Sequence, residues 1–157
     1  MEKQVERVYL SLGSNQGNKS RNLSTAIALL VTEMAPYLCS EIFESSVIET
    51  VPWGFDSQET FLNQVIAFDT FLTPDLVLQV CHYVEDRLGR DRSRPLYNEK
   101  GERLYYDRVI DIDILLYGLQ KIQQNDLVIP HPRLIERDFF LQLLKELIAE
   151  ETLQEVL

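Results

Sequence analysis

The order of elements read from the sequence, β-α-β-β-α-β, predicts an α+β sandwich of ferredoxin-like type, a largely antiparallel sheet with helices packed on one face. Two segments, from about Asn18 to Pro36 and from Thr73 to Gly89, carry apolar side chains at three- and four-residue spacing. Strand-like stretches flank both of them. No repeat, low-complexity tract or linker divides the 157 residues, so one domain, 1–157, is expected.

Taken in order, Val8-Tyr9-Leu10-Ser11-Leu12 is the first expected strand, ending in a turn at Gly13-Ser14-Asn15. The following helix places Leu23, Ala26, Ile27, Leu30, Val31 and Met34 on one face and stops near Pro36. A β stretch is expected over 41–50, then a loop over 51–60 containing Pro52, Trp53 and Gly54. Phe61 to Phe68 alternates as a strand, with Phe61, Asn63, Val65 and Ala67 on one face. The second helix has strong boundaries: Thr73 at the N-cap, Pro74 at the first helical position, Asp75 in the first turn and Gly89 as stop. Val77, Val80, Cys81, Val84 and Leu88 form its apolar stripe. Residues 90–107 are polar, contain Pro95 and Gly101, and read as a long mobile loop. A strand follows through Tyr117, then a hairpin from Gly118 to Ile129, the Pro130-His131-Pro132 interruption and a last helix over 136–150.

The apolar content of 45% is ordinary for a globular protein. A net charge of −10 argues against a general nucleic-acid binder. That charge is unevenly placed, because residues 87–108 carry seven basic and four acidic side chains. An acidic body with one basic loop suits a small polyanionic ligand better than a polymer. Cys39 and Cys81 lack metal-ligand spacing and are read as buried thiols. The charged first residues and the lack of any membrane-length apolar run suggest a soluble, cytoplasmic protein without membrane partners; a monomer is expected.

The chemistry concentrates in Arg108-Val109-Ile110-Asp111-Ile112-Asp113-Ile114-Leu115-Leu116-Tyr117. On an extended strand Asp111 and Asp113 project from one face about 7 Å apart, while Ile110, Ile112, Ile114 and Leu116 line the other. An isolated pair of this kind is usually a solvated face. Here Arg87, Arg90, Arg92, Arg94, Lys100, Arg103 and Arg108 precede it, seven of the chain's fifteen basic residues. Paired carboxylates beside an arginine-rich loop are what Mg²⁺-dependent phosphate-group transfer requires.

Other features are less specific. Gly13-Ser14-Asn15-Gln16-Gly17-Asn18-Lys19-Ser20 nearly matches a phosphate-binding loop, but Asn18 stands at its second glycine. A plain turn with an Asn or Ser helix cap is the simpler reading. Phe61 and Asn63 share a strand face that suits a flat heterocycle, although Phe61 alone could be core. Phe139-Phe140 on a helix must bury at least one ring. His131, stiffened by two prolines beside Arg133 and Arg137, is a candidate phosphate donor, whereas His82 reads as structural.

Taken together, these segments resemble the 6-hydroxymethyl-7,8-dihydropterin pyrophosphokinases of folate biosynthesis. The resemblance is carried by Leu12-Gly13-Ser14-Asn15, Thr50-Val51-Pro52-Trp53-Gly54, Phe61-Leu62-Asn63, Glu85-Asp86-Arg87-Leu88-Gly89-Arg90, the Arg108–Leu115 strand, Ile129-Pro130-His131 and Arg137-Asp138-Phe139. It covers nearly the whole chain, in order. It implies the ferredoxin-like fold and transfer of the diphosphate of ATP to the pterin hydroxymethyl group, with release of AMP. Asp111 and Asp113 would hold two Mg²⁺ ions, and Arg90 and Arg92 would act with them in catalysis. Phe61 and Phe139 match the rings that sandwich the pterin; Asn63 and the Thr50, Val51 and Trp53 segment match the groups at its edge. Glu85, Arg92, Arg108, Ile114, His131 and Arg137 match ATP-contacting positions, with the loop around Arg92 as a lid. Three features depart from the family pattern: Tyr105-Tyr106-Asp107, Leu104 at a frequently basic position, and Pro132 after His131. Two other functions compete with this one: a phosphate-loop enzyme working through Lys19, and a ligand-sensing module in which both aspartates are merely solvated.

Overall fold

The computed structural model describes residues 4–51, 59–89, 93–104 and 106–157. Its elements are β1 (Glu6–Ser14), α1 (Lys19–Met34), β2 (Phe43–Glu44), β3 (Ile48–Thr50), β4 (Phe61–Thr70), α2 (Pro74–Arg87), β5 (Asp111–Tyr117), β6 (Ile122–Gln123), β7 (Val128–Ile129), α3 (Asp138–Leu144) and α4 (Glu150–Val156). The main sheet runs β2-β4-β1-β5, with β3 also on the outer edge of β4, and every pairing is antiparallel. This is the expected ferredoxin-like order, with β1 and β4 central and the aspartate strand at one edge.

Strand alternation gives the sheet two apolar faces. Val8, Leu10 and Leu12 of β1 and Ile66 and Phe68 of β4 pack against Leu23, Ala26, Leu30 and Met34 of α1 and Val77, Cys81 and Val84 of α2. On the other face Tyr9, Val65 and Ala67 meet Phe140, Leu143 and Leu144 of α3 and Leu153 and Val156 of α4. Helices therefore cover both faces, not one as the element order suggested. The second layer covers only part of its face; towards the Gly13 end of β1 that face lines a cleft.

Several local expectations are corrected. β1 runs through Gly13 and Ser14, which pair with Asn63 and Leu62, so the turn begins later than expected. The helix expected over 136–150 is shorter, Asp138–Leu144, and a separate helix, Glu150–Val156, follows it; the step of five from the buried Ile148 to the buried Leu153 breaks the helical phase. Leu116 does not share a face with Ile110, Ile112 and Ile114. A register shift pairs Tyr9 with Leu116 but Leu10 with Ile114, so Leu115 is extra. This bulge sends Leu115 and Leu116 to the α3/α4 face and returns Tyr117 to the α1/α2 face. Cys81 is buried but Cys39 is exposed, and both are free thiols. The described part of the 90–107 loop has structure of its own: Tyr97 bridges Arg103, and the Asn98 carboxamide oxygen accepts from the amides of Lys100 and Glu102, both at 2.9 Å. Among the described residues no helix is long and apolar enough to cross a membrane.

The β stretch expected over 41–50 is split into β2 and β3 by Ser45-Ser46-Val47, and Ser45 repairs the gap. Its amide donates to the Val65 carbonyl and its Oγ accepts from the Val65 amide, both at 2.9 Å. Gln64 Nε2 donates to the Ser45 carbonyl at 3.0 Å. Ser45→Ala would leave the buried Val65 amide without an acceptor. The expected loss is about 1–3 kcal/mol of unfolding free energy. Urea denaturation with an unchanged m-value would show it; a midpoint equal to the parent's would mean water replaces the hydroxyl.

Candidate active site

The antiparallel register assembles the site row by row. Asp111 lies opposite Gly13, Gly13 opposite Asn63, and Asn63 opposite Ile48; the next row places Asp113 opposite Ser11. Paired residues in neighbouring strands project from the same face. Asp111 and Asp113 therefore share a face with Asn63 and Phe61, at the uncovered end of the sheet.

Gly13 is central to this arrangement, a place in the site that the sequence reading did not assign to it. A Cβ there would lie 3.2 Å from Asn63 Oδ1 and 3.5 Å from Phe61 Cδ1. The missing side chain leaves a hollow floored by backbone. Ser11, Thr50, Val51, Phe61, Asn63 and Phe139 line this cleft, with Arg108, Asp111, Asp113 and Arg137 at its side. Asn63 is buried, and its Nδ2 donates to Thr50 Oγ1 at 2.7 Å. That bond fixes the amide orientation and turns Oδ1 towards Gly13. The cleft thus combines two aromatic walls with a fixed amide and a hydroxyl.

A second hollow opens on the other side of the aspartates. It is lined by Tyr97, Arg103, Arg108, Asp111, Asp113, His131, Pro132, Arg133 and Arg137. Four guanidinium groups around two carboxylates suit a polyanion carrying a cation. Arg108, Asp111, Asp113 and Arg137 border both hollows, so the carboxylate pair stands where they meet. Arg103 is part of this wall, whereas the Arg94 guanidinium sits 5.0 Å from the Tyr106 ring centroid.

The electrostatics are strained around Asp113. Burial, then the neighbouring Asp111 and Glu85 carboxylates, push its carboxyl well above the usual range. Arg108 opposes this and bonds Asp111 Oδ2 at 3.1 Å, while its guanidinium lies 5.4 Å from the Phe61 ring centroid. Glu85 is buried on α2, and its Oε2 accepts from the Ile112 amide at 2.8 Å, between the two aspartates. It positions the strand that carries them. Ile114, expected among the nucleotide contacts, has its side chain in the core beneath the sheet.

His131 is held neutral. Burial, then Arg137, lower its pKa to about 4, although Asp111 acts in the opposite sense. Its Nδ1 accepts from the Arg133 amide at 3.1 Å, so the single ring proton belongs to Nε2. Nε2 lies 3.9 Å from Asp113 Oδ1, too far for a direct hydrogen bond, and the imidazole lines the arginine-rich hollow.

Of the residues singled out in the sequence, Thr50, Val51, Phe61, Asn63, Arg108, Asp111, Asp113, His131, Arg137 and Phe139 come together around these two hollows. Arg90, Arg92 and Trp53 lie outside the described residues, as does Tyr105. Lys19 does not serve a phosphate loop. Its Nζ donates to the Thr60 carbonyl at 2.9 Å and pairs with Glu59 at 3.5 Å, while Asn18 caps α1 by accepting from the Arg21 amide.

Comparison with known proteins agrees with this geometry. The family model for 7,8-dihydro-6-hydroxymethylpterin-pyrophosphokinase (HPPK) matches residues 9–149. A 2-amino-4-hydroxy-6-hydroxymethyldihydropteridine pyrophosphokinase of Porphyromonas gingivalis is 41% identical over 133 residues, 84% of this chain and 84% of that protein. The Bacillus subtilis protein of the same name is 36% identical over 142 residues, 90% of this chain and 78% of that one. Among solved structures, an HPPK-DHPS in complex with substrates superposes with a TM-score of 0.67 at 15% identity, over 92% of this chain and 40% of that one. The wild-type Plasmodium falciparum HPPK-DHPS with pterin and p-hydroxybenzoate gives a TM-score of 0.64 at 16% identity, over 95% and 40%. This chain thus spans about two fifths of those longer chains and shares the fold of that part. With residues 9–149 matched by the family model and its fold reproduced, the chain belongs to the 7,8-dihydro-6-hydroxymethylpterin-pyrophosphokinase family.

Proposed function

We propose that this chain carries out its family's reaction with ATP as the diphosphate donor and two Mg²⁺ ions held by Asp111 and Asp113. It is a pterin pyrophosphokinase of folate biosynthesis, as its family membership entails. The observation that carries the ATP and Mg²⁺ reading is the carboxylate pair at the border of two unlike hollows, one aromatic and one lined by arginines. An acceptor in the first and a polyphosphate in the second would meet at the aspartates.

The donor set fits Mg²⁺. Asp111 and Asp113 offer hard oxygens, and their side chains are 23% and 33% exposed towards the hollows. Among the described residues no cluster of three or more His, Cys, Asp or Glu could hold a metal. Mg²⁺ takes few protein ligands and keeps its remaining positions for water and phosphate oxygens. The raised Asp113 carboxyl reflects a repulsion that a divalent cation would relieve. When bound, the ions supply positive charge at the phosphates and draw electron density from the phosphorus under attack.

The protein's own groups divide the remaining tasks. Phe61 and Phe139 hold the pterin ring between apolar walls, and Asn63 with Thr50 reads its edge. Arg103, Arg108, Arg133 and Arg137 bind phosphate oxygens, joined by Arg90 and Arg92 from the lid. His131 offers its Nε2–H as a donor to a phosphate oxygen; in the free protein burial and Arg137 lower its pKa to about 4. So aligned, the hydroxymethyl oxygen attacks the β-phosphorus as the bond to the oxygen shared with the α-phosphate breaks; AMP leaves and the hydroxyl proton passes to water.

A coupled assay with ATP, Mg²⁺ and 6-hydroxymethyl-7,8-dihydropterin should release one AMP per pterin diphosphate; ADP instead of AMP would refute diphosphate transfer. Asp111→Asn and Asp113→Asn each remove a metal-binding charge but little volume. Each should lower kcat at least a hundredfold while the protein stays folded by circular dichroism; near-parent activity at low Mg²⁺ would remove the residue from the metal site. Gly13→Val tests the cleft floor, since its side chain would crowd Asn63 and Phe61. Pterin affinity should fall tenfold or more, about 1.4 kcal/mol, with binding of a non-hydrolysable ATP analogue within twofold of the parent. Equal loss for both ligands would mean that the sheet, not the pocket, had been damaged.

A further inference from the structure

The loop that fails as a phosphate binder has another use, and Asn15 carries it. This residue is fully buried, although it sits in a surface turn between β1 and α1. Its backbone amide donates to the Arg108 carbonyl at 3.0 Å, and its Oδ1 accepts from the Arg108 amide at 2.6 Å. Its Nδ2 donates to Asp107 Oδ1 at 2.7 Å. One residue thus grips both peptide groups of Arg108, and its side chain also holds the carboxylate next to it. These bonds tie the two segments together beyond Gly13 and Asp111, the last pair of the regular ladder.

What is gripped is the root of the arginine-rich loop. Arg108 Nε donates to the Tyr106 carbonyl at 2.9 Å, and its guanidinium reaches Asp111 and the Phe61 ring. Arg108 borders both hollows, so a small rotation of its backbone would swing the guanidinium away from one or the other. We propose that Asn15 is a positioning residue that, through its complementary pair with Asp107, fixes the hinge of the loop and aims Arg108 at the phosphates. The inference rests on the phosphate-binding role given to Arg108 above. An asparagine is needed because one atom must accept and the other donate. An aspartate would keep the bond to the Arg108 amide but set two carboxylate oxygens against each other at the Asp107 contact.

The pair can be exchanged, which gives a test with a built-in rescue. Asn15→Asp should lower kcat/KM for ATP tenfold or more, with pterin affinity within twofold of the parent. The double substitution Asn15→Asp/Asp107→Asn restores one donor facing one acceptor with the roles swapped. It should recover kcat/KM to within threefold of the parent. A double variant no better than Asn15→Asp would overturn the proposal, and so would Asn15→Asp with parental kinetics. If Asn15→Asp alone does not fold, the folded double variant still decides the matter by its kcat/KM. Asp107→Ala removes only the acceptor and should give an intermediate loss in kcat/KM for ATP, again without a change in pterin binding; parental kinetics would count against the pair. A parent enzyme that turns over pterin but never binds an ATP analogue would instead refute the phosphate reading itself.

Discussion

Three carboxylates converge on one end of the sheet, and keeping them there constrains much of what surrounds them. Asp111 and Asp113 share a strand face, and Glu85 approaches from α2 to accept the amide between them. The cost shows in Asp113, whose carboxyl resists ionisation. A fold selected for stability alone would separate these groups or replace one of them. Here they are held together instead. Glu85 ties the strand from the core side, Arg108 answers Asp111 from the solvent side, and Asn15 fixes Arg108. Charge compression of this kind is common at functional sites.

The bulge at Leu115 reconciles the site with the core. Asp111 and Asp113 must face the cleft, which by simple alternation would also send Leu115 and Tyr117 to that face. Both faces of the sheet need apolar cover further along β5. One extra residue lets Leu115 and Leu116 both feed the α3/α4 layer and returns Tyr117 to the α1/α2 layer, where its hydroxyl donates to the Leu72 carbonyl. The same strand thus serves a polar site at its start and two cores at its end.

Much of this was legible in the sequence because it depends on local periodicity. The helices of residues 19–34 and 74–87, the face shared by Phe61, Asn63, Val65 and Ala67, and the shared face of the two aspartates all follow from spacing. What stayed hidden depends on register between distant strands. Nothing local marks Leu115 as a bulge or Gly13 as the neighbour of both Asn63 and Asp111. The second helical layer was missed for the same reason, since α3 and α4 bury one surface only after the chain breaks between them. Glu85 could be matched to a family position, but its bond to Ile112 requires α2 to be docked on the sheet.

The Gly13–Ser20 stretch shows how a motif can resemble one chemistry and serve another. A phosphate loop presents free amides and a lysine to an anion. Here those parts are committed elsewhere. Lys19 is held by Thr60 and Glu59, Asn18 caps the helix, and Asn22 Nδ2 donates to the Gln16 carbonyl at 2.8 Å and to Ser14 Oγ at 3.1 Å. Asparagine recurs at 15, 18 and 22 because its amide donates and accepts within a tight turn. The outcome is a rigid turn whose inner edge grips residues 107 and 108. On the proposed reading anion binding falls to the arginines beyond it, and of these Arg108 has its backbone amide held by Asn15.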